Sequence, residues 1–173
     1  MSPGEVADLL ESSCQAFAST LNALTPNVAS WHPAPGEWCV NEVVGHVIVT
    51  EMNGFEGRIR VILRSVGADE PDLPAYDRDG IQKSRNDCAR DPKELARELL
   101  DVRSGSLQLI RSLRREQIQR GGTHPEVGRL TVEDLLHEWV HHDGNHLRQA
   151  LANVQAYVWP NMGNARRSSR PDM

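Results

Sequence analysis

Apolar residues recur at three- and four-residue intervals through four stretches of this chain of 173 residues, and clusters of proline, glycine and aspartate separate them. The pattern predicts four amphipathic helices. Ser2, Pro3 and Glu5 stand as N-cap, N1 and N3 of the first, which reads to about Leu24. The following "TPNVASWHPAPGEW" reads as an extended loop. A second helix opens at Cys39, with Glu42 at N3, and reads to Val66. The connection from Gly67 to Gly80 is long and leads into a short helical piece ending near Cys88. Asp91, Pro92 and Glu94 open a third helix, read to Gln117, and Thr131 with Asp134 opens a fourth, read to Val158. No alternating strand pattern of useful length is visible. The expected fold is all-α, a four-helix bundle with a long connection between helices 2 and 3. Residues 1–163 form its one domain, and 164–173 a disordered tail.

Composition narrows the class without changing this picture. Hydrophobic residues make up 39% and charged residues 25%, as in a globular protein. The net charge of −5 leaves no basic face of the size a nucleic-acid partner needs. No apolar run is long enough for a membrane span, and the first residues do not read as a secretory leader. A cytoplasmic setting with reduced thiols is expected. Cys14, Cys39 and Cys88 are far apart, with no CxxC pair, so neither a disulfide framework nor a cysteine zinc site is expected.

The chemistry concentrates in "HEWVHHDGNHLRQ", residues 137–149. At ~100° per residue, His142 and His146 border the apolar face of the fourth helix, whereas His137 and His141 point away from it. His142 and His146 are an i,i+4 pair able to grip one metal ion, although the same spacing occurs among solvated histidines. A third ligand would come from another element. His32 and His124 lie in loops and read as exposed. His46 is the one histidine of the second helix, on a polar stripe with Glu42, Thr50, Asn53 and Gly57. That stripe suits either a cleft lining or a wet surface. Asp143 falls inside the apolar face, where a carboxylate requires a partner; the Trp38 indole or a helix N-terminus are the expected donors. Glu138 and Gln149 flank the inner pair.

The passage "PAPGEWCVNEVVGHV" resembles the Trp–Ser/Thr–x–x–Glu–x–x–x–His segment of the DinB/YfiT-like superfamily, with Cys39 where that segment has Ser or Thr. The block "GTHPEVGRLTVEDLLHEWVHHDGNHLRQAL" is similar to the closing block of its DinB_2-type branch. The resemblance spans about residues 8–163. It implies a divalent metal, of which zinc, nickel or iron suit nitrogen donors, held by His46, His142 and His146 at one end of the bundle. By their positions on the helices, Trp38, Glu42, Thr50, Asn53, Glu138, Asp143 and Gln149 are the candidate pocket or supporting residues around this triad, and a small-molecule substrate is expected. A homodimer is expected, since the resemblance implies one and the second helix is apolar nearly all round, more than three neighbours need cover. The activity implied is that of a metal-dependent hydrolase or a transferase using a low-molecular-weight thiol of the bacillithiol or mycothiol type, with a binding protein lacking turnover as the alternative.

Overall fold

The computed structural model of the chain describes residues 1–65 and 70–169. Its elements are α1 (Pro3–Ala23), a single turn α2 (Pro26–Ala29), α3 (Val40–Thr50), a π-turn (Glu51–Phe55), α4 (Glu56–Arg64), α5 (Arg78–Arg85), α6 (Pro92–Arg111), a single turn α7 (Arg115–Ile118), strands β1 (Gly121–His124) and β2 (Gly128–Thr131), and α8 (Val132–Val158). The helix starts follow the capping chemistry. The Ser2 hydroxyl accepts from the Glu5 N–H at 3.2 Å, while Glu5 accepts from the Ser2 N–H at 2.7 Å. Thr131 and Asp134 make the same reciprocal pair at 3.0 and 2.9 Å. Cys39 supplies half of a cap: its N–H donates to Glu42 at 2.9 Å.

α1, the continuous α3–π-turn–α4 rod, α6 and α8 form the four-helix bundle. The structure departs from the periodicity reading at the loop after α1, at the end of the third helix and at a short hairpin. Pro26 sits at N1 of a helical turn, which its fixed φ favours, so the loop after α1 is not extended throughout. The third helix stops at Arg111 and restarts as α7. Gly121–His124 pairs antiparallel with Gly128–Thr131. These strands are four residues each and glycine-rich, too short to show period-2 alternation; Gly128, at φ 79°, begins the return strand. The described part of the connection joins them: Leu73 N–H donates to Thr123 O, and Thr123 N–H to Pro71 O, both at 2.9 Å. Val66, the expected end of the second helix, Gly67, Ala68 and Asp69 of that connection, and Arg170–Met173 of the tail lie outside the described residues; Gly163–Ser168 forms 3-10 turns.

The apolar core falls into two clusters separated along the bundle axis. One gathers Val6, Leu10, Phe55, Ile59, Ile62, Ile110, Leu135 and Trp139, the other Phe17, Leu21, Val43, Val47, Leu95, Leu99 and Ala150. Between them each long helix contributes a polar group at the same level. Arg103 of α6 donates from Nη1 to the Leu10 carbonyl at 2.6 Å and to Asp143 Oδ2 at 2.8 Å, and its Nη2 stands 2.8 Å from Glu51 Oε2. Ser13 donates to Asp143 Oδ2 at 2.5 Å. Arg103, Glu51 and Asp143 are all at or below 1% exposure, so this is a buried ionic layer. Burial pushes the Glu51 carboxyl up despite Arg103 beside it.

α3 is enclosed by its own chain: every residue from Val40 to Thr50 except Glu42 is buried. The apolar surplus on this helix that favoured a second copy is therefore covered within the protomer. No helix among the described residues is long and apolar enough to cross a membrane. Gly45 marks a close approach, since a Cβ there would meet Asp87 Oδ2 at 1.9 Å. Asp87 is itself buried and paired with Arg85 and Arg90. Gly45→Ala is therefore expected to destabilise by about 1–3 kcal/mol through overpacking, despite alanine's better helix propensity. Urea denaturation measures it, and a stabilised variant would refute the steric argument.

Candidate metal centre

The histidines that meet in the structure come from α3 and α8. His46, His142 and His146 each offer one ring nitrogen, and the three nitrogens lie within 4.8 Å of one another. His46 Nε2 and His142 Nε2 are 3.1 Å apart. Two nitrogens bound to one tetrahedral zinc at about 2.1 Å would stand roughly 3.4 Å apart, so small ring shifts suffice to admit an ion. His146 Nδ1 pairs with Gln149 Oε1 at 2.9 Å; the amide oxygen can only accept, so Nδ1 carries the proton and Nε2 keeps its lone pair. Trp38 lies against His46 with ring centroids 4.9 Å apart, and Phe55 meets His142 edge-on at 5.3 Å. His141 and His137 are exposed; His141 reaches only Asn145 at 2.9 Å, as its outward position on the helix requires.

Burial sets the protonation state of the two histidines of α8. Desolvation, reinforced by His146 and His46, lowers the His142 pKa to about 3. His146 is lowered as well, chiefly by burial, with Gln149 acting in the opposite sense. Neutral imidazoles at neutral pH present lone pairs, the form that a metal binds.

The triad forms one wall of a cavity of about 740 Å³. Thr50 and Glu138 also line it, and Thr50 Oγ1 stands 3.4 Å from His46 Nε2 and accepts from the Tyr76 hydroxyl at 3.4 Å. Other expected residues are placed elsewhere. Glu42 lies at the start of α3, capping Cys39 and facing His32 at 3.6 Å. Asn53 is exposed and turns its amide to the Val49 carbonyl at 3.0 Å. The cause is the π-turn, closed by Glu56 N–H donating to Glu51 O, whose extra residue breaks the 3.6 register. The cavity stripe thus runs His46, Thr50, Gly54, Arg58 instead of through Asn53 and Gly57. Asp143 takes its partners from Arg103 and Ser13, not from Trp38 or a helix N-terminus.

Several lining residues had no signal in the sequence. His124, expected to be exposed, is buried, with Nε2 receiving Arg58 Nη2 at 2.9 Å. Arg58 lies 5.9 Å from the Tyr76 ring centroid, and Tyr76, Asp77 and Arg78 close the cavity from the α5 side. Only the hairpin and the connection bring these groups to the triad. Cys39 and Cys88 are also brought together, contrary to the reading from their separation in sequence.

Fold and site together define a helical-bundle protein with three clustered histidines at the wall of a polar cavity. The family comparison is consistent with that description: residues 9–150 match the DinB superfamily, and the chain belongs to it. A Bacillus subtilis (strain 168) protein named "Putative metal-dependent hydrolase YfiT" is 28% identical over 125 residues, covering 72% of this chain and 68% of its own. The solved structure of YfiT, described as a "probable metal-dependent hydrolase with an unusual four-helix bundle topology", superposes with a TM-score of 0.76 at 22% identity, covering 93% of this chain and 87% of that one. A conserved protein from Enterococcus faecalis has the same fold with a TM-score of 0.65 at 14% identity, covering 90% and 97%.

Proposed function

We propose that this protein is a metal-dependent hydrolase of small substrates, with a divalent ion held by His46, His142 and His146. The observation that carries the reading is the convergence of three ring nitrogens within 4.8 Å at the wall of a cavity of about 740 Å³. The name of the Bacillus subtilis relative supports it. The donor set fits: all three ligands are nitrogen, His142 and His146 are held neutral, and Gln149 fixes the ring of His146. Nitrogen donors suit zinc, nickel or iron. An ion with three protein ligands supplies Lewis acidity toward a carbonyl or phosphoryl oxygen and lowers the pKa of a coordinated water.

The chain's own groups do the rest. Glu138, one helical turn before His142 and open to the cavity, accepts the proton of the attacking water. Arg58, braced by His124, receives the oxygen on which negative charge develops. Trp38 and Phe55 shield the imidazoles from bulk water.

The experiment is a screen of small esters, amides and phosphoesters with the zinc- or nickel-loaded protein, alongside metal analysis. His142→Ala is expected to lose one ion per chain relative to the wild type and to lose turnover, while His141→Ala keeps both. Glu138→Gln should retain the ion and lower kcat by on the order of a hundredfold or more. Equal metal content in His142→Ala and the wild type would refute the assignment. Turnover that requires an added low-molecular-weight thiol would replace the hydrolase with a thiol transferase.

A further inference from the structure

A second constellation lies at the start of α3. His32, Cys39, Glu42 and Cys88 each offer one ligand atom, and these atoms all lie within 4.8 Å of one another. They come from three places: the loop before α3, the first turn of α3, and the 3-10 turn Asp87–Ala89. The loop is shaped to bring the histidine back. Pro33, Pro35 and Gly36, the last at φ 83°, fold it so that Glu37 N–H donates to Ala34 O at 3.1 Å. His32 Nδ1 then stands 2.7 Å from the Glu37 carbonyl. A carbonyl only accepts, so Nδ1 carries the proton and Nε2 presents its lone pair, 3.3 Å from Cys88 Sγ. A histidine whose far nitrogen is tied to a backbone carbonyl is oriented as metal-binding histidines are.

We infer that His32, Cys39, Glu42 and Cys88 form a second metal site, a four-ligand zinc site of structural type. Two sulfurs, one imidazole nitrogen and one carboxylate oxygen are a donor set for zinc, and sulfur donors turn the site away from magnesium or calcium. Binding converts both thiols to thiolates, releasing two protons to solvent, and no oxidant takes part. Four protein ligands leave no position for substrate, which separates this site from the three-histidine cluster. Its effect is mechanical. It ties the loop that carries Trp38 to α3 and to the 87–89 turn, and Trp38 is the ring packed on His46.

The test uses the full chain, stripped of metal and reduced with a phosphine, so that no thiol is added. Titration with cobalt(II) is expected to produce thiolate-to-cobalt charge-transfer absorption, complete by two equivalents because the three-histidine cluster also takes an ion, and bleached by zinc. Nitrogen ligands alone cannot give that band. It should therefore persist in the double variant His46→Ala, His142→Ala, which removes the other site. It should vanish in Cys88→Ser, and His32→Ala, at an exposed position, should weaken apparent zinc affinity by on the order of tenfold or more. Circular dichroism of both variants confirms that they fold. The inference is overturned by a reduced wild type that gives no thiolate band, including one found with Cys39 and Cys88 joined as a disulfide before reduction. A band that survives both Cys88→Ser and His32→Ala would overturn it as well.

Discussion

Arg103→Ala is expected to lower the free energy of unfolding by about 3–5 kcal/mol, the usual cost of leaving buried charges without their partner. Burial works against the charge on Arg103, and Asp143 and Glu51 outweigh it, holding the guanidinium charged. Removing it would leave two carboxylates facing each other in the core, both at or below 1% exposure. A companion variant separates charge from packing. Arg103→Met combined with Glu51→Gln and Asp143→Asn keeps side-chain volume and removes all three charges, so its loss should be smaller than that of Arg103→Ala alone. Chemical denaturation measures both. A loss under about 1 kcal/mol for Arg103→Ala would mean that water or a shift of the helices replaces the guanidinium.

The second large effect is on acid stability of the metal-free protein. His142 has a folded-state pKa of about 3, against about 6.5 in the unfolded chain. Between those values the unfolded chain binds the extra proton, so stability falls as the pH falls. The contribution is complete above about pH 6.5 and is lost progressively down to about pH 3, at up to about 1.4 kcal/mol per pH unit. His146 adds in the same direction. His142→Asn removes the titration, so the difference in stability between variant and wild type should narrow or reverse from pH 7 to pH 4.5. A difference that is independent of pH would show that the imidazole is not held neutral by burial.

Much of the frame was legible because it depends on local chemistry. The Ser2–Glu5 and Thr131–Asp134 caps set two helix starts, and the apolar stripe of the fourth helix separated His142 and His146 from His137 and His141. His46 was legible as the histidine of a central helix. The rest depends on events that no periodicity encodes. The π-turn moves the cavity stripe from Asn53 to Gly54 and Arg58, because one inserted residue rotates everything after it by about 100°. Nothing in the periodicity singles out Arg103 or Glu51, and only the packing of four helices places them in one layer. His124 and the pairing of Cys39 with Cys88 require contacts across loops, and loop closure leaves no trace in composition.

The ionic layer also bears on how the bundle is assembled. Leucine and valine stripes tolerate a neighbour displaced by one turn, since one apolar ridge fits much like the next. Arg103 does not. A slide of any long helix by about 5.4 Å would carry Leu10, Glu51, Arg103 or Asp143 out of reach of the others and cost the buried charges hydrogen bonds or partners. The layer thus acts as a gauge of axial register. Because His46 is five positions before Glu51 and His142 adjoins Asp143, the arrangement that satisfies the charges is also the one that brings the three imidazoles level.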